Sequence, residues 1–523
     1  MGPMGNDPRS RTGSGVNRRV FLGRAAAGAA GFTALGAALA ACGDGDDATT
    51  STAAGGDAAP NAGGRSATAN MGIQLGKQSA GSTLNFQVEA GLQADVWKTV
   101  AVPMWEKLTG TTVNIVEVEF TQQFQKLVVA TQAAGTIDCA YCALSWLPDL
   151  SAGEAIVPIG DMVDQYLDTD ELQQEFDDLV PTGLTAVSEW NDQLWGFPLD
   201  GPGLVLYYRT DIFSDPDLQS KFSDQAGYEL APPETYPQYG EIAQFLTDEL
   251  APDVYGALHP AGGGQAYFWW FQLYNSGEFG DARYFDGDMR AMVNSPEGVA
   301  ALDALKGYLD AGPPGANTLD PGRPFTDFIG GKLAMMINFT PFARWASVPP
   351  KERLEFVPKS EIRGKFALAV PPGGSTDVAS GYTTVITSGS EQQELAFAFL
   401  AWATSPDVYT EIVNYGASLC KPTRTSMFAA AQEDPQWPGQ GEQYSAFEST
   451  MTQLRMEPKW LSAAEYNTAI DEACTAAYTG TATQAALDKA AEEWNTITDR
   501  VGADAQADAY AQYESQTQAL RAE

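Results

Sequence analysis

The sequence predicts an α/β protein of two lobes, and three observations carry that expectation. Residues 83–143 alternate strand and helix patterns in the order β-α-β-α-β, which implies a parallel sheet with right-handed crossovers. Residues 42–523 are more than one hydrophobic core usually serves. Residues 204–210 (LVLYYRT) follow a loop built on Pro198, Gly201, Pro202 and Gly203. Six of those seven are β-branched, aliphatic or aromatic, so they read as a buried strand leaving the loop.

The chain opens with an export pattern. Arg18-Arg19-Val20-Phe21-Leu22 is a twin-arginine motif, and residues 25–41 form a weakly apolar run too short to span a membrane. Leu39-Ala40-Ala41-Cys42 then has the form of a lipobox, in which the cysteine is acylated and the chain is cut before it. Residues 1–41 are therefore expected to be a signal peptide, with the protein outside the cytoplasm and lipid-anchored through Cys42. Residues 42–80 hold almost no large apolar side chain and are expected to be a flexible tether, about 35 Å across as a random coil.

The pattern then runs through a strand at 83–88, a helix at 94–108 with Val96, Val100, Met104 and Leu108 on one face, and a strand at 113–118. A helix at 120–133 and a strand opened by Asp138 follow. Ligands sit at the carboxyl ends of such parallel strands, so residues 89–93, 119–122 and 141–146 are candidate cleft positions, with Glu89, Gln93 and Trp146 chosen from them. Residues 267–274 pack six aromatics into eight positions, which suits a buried helix with some rings facing a cleft. Strands are expected at 333–337 and 365–370, and helices at 392–404, 462–478 and 483–500. Residues 502–523 are poor in apolar side chains and read as a solvated helix or loose tail.

Composition narrows the function. The chain carries a net charge of −37, and residues 1–41 hold five Arg against one Asp, so the remainder is more acidic still. That excludes nucleic acid and anionic membrane surfaces as partners. The single histidine, His259, rules out paired-histidine zinc sites and reads as a loop residue without catalytic duty. Cys139 and Cys142 lie in a strand pattern and are expected to be buried thiols. An oxidising compartment leaves a long-range Cys420–Cys474 pairing open. No cofactor, metal site or catalytic group is expected.

Five marks in order resemble the extracellular solute-binding proteins of the maltose-binding type. They are residues 138–158 (DCAYCALSWLPDLSAGEAIVP), residues 195–213 (WGFPLDGPGLVLYYRTDIF), residues 325–345 (FTDFIGGKLAMMINFTPFARW), residues 380–387 (SGYTTVIT), and Pro458 with Trp460. The resemblance implies a two-lobe periplasmic-binding fold of type II, each lobe a mostly parallel sheet flanked by helices and joined by crossing strands. It implies a first lobe of 81–200 plus 380–435, a second of 201–379 plus 436–500, and a tail of 501–523. Matching positions place Asp200, Gln265, Tyr267, Phe342, Trp345 and Trp460 at the ligand cleft. The implied activity is capture of a sugar or oligosaccharide by a monomer that delivers it to the permease subunits of an ABC importer and, through them, their ATPase. The acidic charge favours one rival within this class, a polyamine or other cationic solute. An exported carbohydrate-active enzyme with paired carboxylates is the rival outside it.

Overall fold

The computed structural model describes residues 65–522 except 131–134, 202, 260, 262–263, 265, 281, 319–321, 350–352, 374–380 and 452–454. The export pattern, Cys42 and Gln265 lie outside the described residues.

The first sheet is built on β1 (Thr83–Glu89), β2 (Thr112–Val118), β3 (Cys139–Ala143) and β4 (Ile156–Val157). β5 (Glu189–Trp190) and β6 (Gln193–Leu194) form a separate hairpin. β7 (Pro198–Asp200) precedes the crossing, and β8 (Leu204–Arg209) follows it into a second sheet with β9 (Tyr255–Ala257), β10 (Leu333–Phe339) and β11 (Phe366–Ala369). β12 (Tyr382–Thr387) returns to the first. The first sheet runs β2-β1-β3-β12-β4, with β7 also on β12; the second runs β11-β8-β10-β9.

Both sheets are mixed, a correction to the mostly parallel expectation. β1 lies parallel to β2 and β3, as the β-α-β pattern requires, but β12 is antiparallel to β3, β4 and β7. In the second sheet β8 is antiparallel to both neighbours and only β9–β10 is parallel. The physical reason lies in the crossings: a strand that arrives from the other lobe runs against strands that start within its own. At the first crossing, a Cβ on Gly201 would stand 2.3 Å from the Pro422 carbonyl oxygen, so only glycine fits there. The chain passes between lobes again after the helix Thr425–Glu433, since the helix Gln440–Met451 packs on β8 and β11.

Two segments expected to lie free in solvent, one as a tether and one as a solvated helix or loose tail, are packed on the fold. The tether ends earlier than residue 80: Ala67–Gln78 is a helix, capped by the Ser66 side chain. The Glu175 carboxylate accepts from the Ala67 and Thr68 backbone at 2.7 Å each, and charge favours an anion at that end. Gly72 brings this helix against Ala398 and Trp402 of the helix Gln393–Ala403, so it has a packed face that its small residues conceal in sequence. The tail is also a helix, Ala503–Ala522. Tyr510 and Tyr513 set their rings against Trp460, the Tyr513 hydroxyl donates to the Met456 carbonyl at 2.9 Å, and Gln516 donates to the Glu189 carbonyl at 3.0 Å.

The four described cysteines are buried and unpaired, so the Cys420–Cys474 pairing does not form. Cys420 lies by Gln93, whereas Cys474 sits on the helix Ala463–Tyr478, which packs on the second-lobe helix Ala266–Asn275. His259 is buried, and desolvation holds its imidazole down to about 3, so it is neutral at physiological pH.

Candidate functional site

The carboxyl end of β1 and the start of the oppositely running β12 meet at one edge of the first sheet. That edge brings Glu89 to Tyr382, whose hydroxyl donates to Glu89 Oε2 at 2.9 Å. Tyr382 also faces Asp200 in the β7–β12 register. Asp200 is 6% exposed and holds Lys421 twice: Nζ to Oδ2 at 2.9 Å, and the backbone N–H to Oδ1 at 2.9 Å. The Lys421 ammonium stands 5.1 Å from the centre of the Phe339 ring, at the end of β10. A first-lobe polar edge thus touches the second-lobe sheet through one cation–π contact.

The second lobe brings Tyr267 at the start of the helix Ala266–Asn275. Asp471 fixes that helix end, accepting from the backbone of Gly264 at 2.6 Å, Ala266 at 2.8 Å and Tyr267 at 3.4 Å. Burial raises the hydroxyls of Tyr267 and Tyr382, with smaller contributions from Glu457 to Tyr267 and from Tyr267 to Tyr382. Glu457 is 4% exposed, and its Oε2 has no hydrogen-bond partner among the described residues.

Burial sets the electrostatics. It pushes Glu89 up to about 7, against the Tyr382 hydrogen bond and with help from the charges of Glu119 and Asp200. Burial alone pushes Glu457 up to about 8. Asp200 is also raised by burial, with Lys421 holding it back. The arrangement suits a hydroxyl-rich or cationic guest: it offers carboxylate acceptors and phenol groups, and its cation is already bound to Asp200.

The other expected positions divide. Gln93 is buried beside Cys420, with Sγ 4.0 Å from Oε1, next to the Asp200 group. Trp146 is buried in the turn after β3, against Phe124, and that turn touches the helix Ala463–Tyr478. Phe342 and Trp345 lie on the helix Pro341–Ser347, where Phe342 stacks on Phe325 at 4.6 Å and Trp345 meets Phe325 and Phe356 edge-on. This helix docks on first-lobe chain: Trp345 Nε1 donates to the Gly416 carbonyl at 3.0 Å, and Arg344 to the carbonyls of Val413 and Tyr415. A cavity of about 20 Å³ opens on that seam between Thr340, Arg344, Cys420 and Lys421, room for about one water. Both rings are therefore seam residues in an aromatic knot.

Trp460 is corrected outright. It is 0% exposed and sits among Tyr284, Phe285, Tyr466, Trp494, Tyr510 and Tyr513, with centroids 5.0 Å away for Tyr513 and 5.2 Å for Tyr284. It is core of the C-terminal helices, because the tail helix covers the face expected to be open. Sequence reasoning missed Tyr382, Lys421 and Glu457. Tyr382 and Glu457 stand inside segments already singled out, SGYTTVIT and MEPKW, whereas nothing near Lys421 distinguishes it.

Among the described residues no group of three or more His, Cys, Asp or Glu is placed to hold a metal ion, and no helix is long and apolar enough to cross a membrane. The profile of the bacterial extracellular solute-binding proteins matches residues 85–410, more than half of the chain. The chain belongs to that family. Solved solute-binding proteins share its type II periplasmic-binding fold. One from Agrobacterium radiobacter K84, in complex with ribitol, has a TM-score of 0.64 at 21% identity, over 80% of this chain and 99% of that one. Another from Agrobacterium vitis S4, with bound D-mannitol, has a TM-score of 0.63 at 22% identity, over 80% and 99%. Maltose-bound MalE3 of T. maritima has 0.59 at 19%, over 80% and 100%. A sequence relative, the probable amino-acid ABC transporter periplasmic-binding protein y4oP of Sinorhizobium fredii (strain NBRC 101917 / NGR234), is 24% identical over 371 residues, 69% of this chain and 76% of the relative. The relative and the Agrobacterium neighbours are named as ABC-transporter binding proteins, and the family is one of extracellular solute-binding proteins.

Proposed function

We propose that this protein is the lipid-anchored capture subunit of an importer, which closes two lobes on a sugar or polyol and passes it to membrane permeases. The observation that carries the reading is the polar edge where Glu89, Tyr382 and Asp200 gather in the first lobe and where Lys421, held by Asp200, lies over the Phe339 ring of the second. Carboxylates and phenols take sugar hydroxyls, and ring faces take sugar C–H groups. The N-terminal lipobox at Cys42 supplies the anchor, and the segment before the helix Ala67–Gln78 supplies the tether. The protein needs no chemistry of its own for this task.

An amino acid, as named for the Sinorhizobium relative, fits less well. Its carboxylate needs a cation, and Lys421 is committed to Asp200 at 2.9 Å. Thermal-shift screening against sugars, polyols and amino acids tests the reading, since a solute at about 100 Kd adds about 2.7 kcal/mol of stability. Sugars or polyols raising the melting temperature while amino acids do not is the expected result. The reverse overturns it.

A further inference from the structure

The C-terminal segment reaches into the first lobe with a buried cation. Trp460 packs with Tyr284, Phe285 and Trp494, so residues 456–462 belong to the second lobe together with the helix Ala463–Tyr478. Lys459 faces the first lobe. It is 0% exposed and has no carboxylate at ion-pair distance among the described residues. Its Nζ donates to the carbonyls of Ala186 at 2.9 Å, Glu189 at 2.5 Å and Thr185 at 3.4 Å. Those carbonyls close the first-lobe helix Pro181–Ser188, whose last turn carries partial negative charge. The Trp190 ring lies 5.9 Å from the ammonium.

Three residues on, the polarity is reversed. The Ser462 backbone N–H, at the start of the second-lobe helix Ala463–Tyr478, donates to Asp149 Oδ2 at 2.9 Å. Asp149 lies on the first-lobe helix Leu147–Ala152 and is buried. Each lobe thus sets a charge on a helix end of the other, an ammonium on a C-terminus and a carboxylate on an N-terminus, the favourable sense for both. Ser462 holds this geometry at a φ of 61°, a left-handed conformation uncommon for serine. The contact lies on the cleft side of the first sheet. The turn after β3 touches the helix Ala463–Tyr478, and β3 runs parallel to β1, whose carboxyl end carries Glu89. The tail helix ties the two sides together. Gln506 donates to the Leu461 carbonyl at 3.2 Å in the second lobe. Gln516 donates at 3.0 Å to the Glu189 carbonyl in the first, the same carbonyl that Lys459 takes.

We propose that Lys459, Ser462 and the tail helix form a latch that holds the lobes shut at the cleft edge and lets go when the cleft opens. Helix-end carbonyls and a carboxylate are groups that water satisfies once they are exposed, so this contact breaks at less cost than an apolar seam of the same extent. With the latch made, a solute has to supply less differential affinity to close the cleft. The latch rests on the reading of two closing lobes and not on which solute they take.

Small-angle scattering reads the lobe arrangement with no solute present. The sample is the whole chain from residue 42, carrying Cys42→Ser so that no acyl chain is attached. The measurement is made at about pH 6, where the Lys459 ammonium is charged in the closed form, since burial lowers it only to about 7. Lys459→Met should raise the radius of gyration by about 1 Å or more, a few per cent of that of a compact chain of this size. Gln516→Ala should shift it in the same direction by less. Methionine fills the place of the lysine stem, so the variant should fold; circular dichroism checks that. Should Lys459→Met fail to fold, Asp149→Ala opens the same latch from the first-lobe side and carries the same expectation. A radius unchanged in every folded variant overturns the inference. So does faster hydrogen exchange of residues 503–522 at an unchanged radius, which would mean that the tail frays while the lobes stay as they are. Either outcome leaves the sugar reading to the thermal-shift screen, which does not depend on the latch.

Discussion

Replacing Lys421 with Met removes the cation from the most buried ion pair of the site. The Lys421 and Asp200 side chains are 4% and 8% exposed, and their charged atoms stand 2.9 Å apart. Methionine keeps most of the stem's volume beside Phe339, so the loss is chiefly one of charge. Breaking a buried pair from one side costs about 3–5 kcal/mol, because the other charge stays behind. The Lys421 backbone N–H still donates to Asp200 at 2.9 Å, which places the expected loss near the lower end, about 3 kcal/mol. Burial already raises the Asp200 carboxyl and Lys421 is what opposes it, so the variant's carboxyl rises further. A group raised in the folded state contributes stability that is present below its unfolded value and lost as pH rises through its folded value. The deficit should therefore be small at about pH 4 and largest at neutral pH and above. Urea unfolding followed by tryptophan fluorescence at about pH 4 and pH 8 reads both numbers. Adding Asp200→Asn to the same chain should recover most of the loss at pH 8. A deficit under about 1 kcal/mol at pH 8, or one that does not change with pH, would refute the assignment of this pair as a buried, mutually dependent unit.

Trp460→Ala should cost about 3–5 kcal/mol by urea unfolding while the folded fraction keeps its solute affinity; a loss of affinity with little loss of stability would return Trp460 to the cleft. Glu457→Gln should stabilise the solute-free protein at about pH 8 by roughly 2–4 kcal/mol and leave it unchanged at about pH 4, because burial raises Glu457 to about 8 and glutamine imitates the protonated form; equal melting temperatures at both pH values would show that Glu457 is hydrated in solution.

The first lobe was legible because its signals are local. Strand and helix periods between residues 83 and 143 follow from each residue's immediate neighbours, and β1, β2 and β3 stand where the periods put them. Strand direction was not legible. Nothing in residues 382–387 says whether the strand runs with or against β3, since that depends on which lobe the chain comes from. The helix Ala67–Gln78 was hidden for a different reason. Its docking face is built on glycines, and Gly72 reads as a linker residue until Ala398 and Trp402 come into contact with it. The tail helix hides its function in the same way. Tyr510 and Tyr513 look sparse along the chain, yet both meet the same ring, Trp460, and its neighbours Phe285 and Tyr284.

The site was legible in its polar half and misleading in its aromatic half, and the two outcomes share a cause. A carboxylate at the end of a strand has few places to go: burial penalises it unless a partner arrives, so Glu89 and Asp200 stay at the edge where the lobes meet. Topology then chooses the partner, and it chooses from far along the chain, 293 residues away for Tyr382 and 221 for Lys421. An aromatic ring faces no such restriction. Burial rewards it in a core as much as in a cleft, so ring type at a strand end or turn does not discriminate between them. Trp460 shows the consequence: the same side chain that would stack on a solute is enclosed once a further helix supplies Tyr510 and Tyr513. A polar atom buried without a partner does not discriminate by itself, since Trp460 Nε1 is one within the core and Glu457 Oε2 is another. Ionisation separates the two: three residues from Trp460, burial raises the Glu457 carboxyl to about 8, a cost that a neutral indole N–H does not carry.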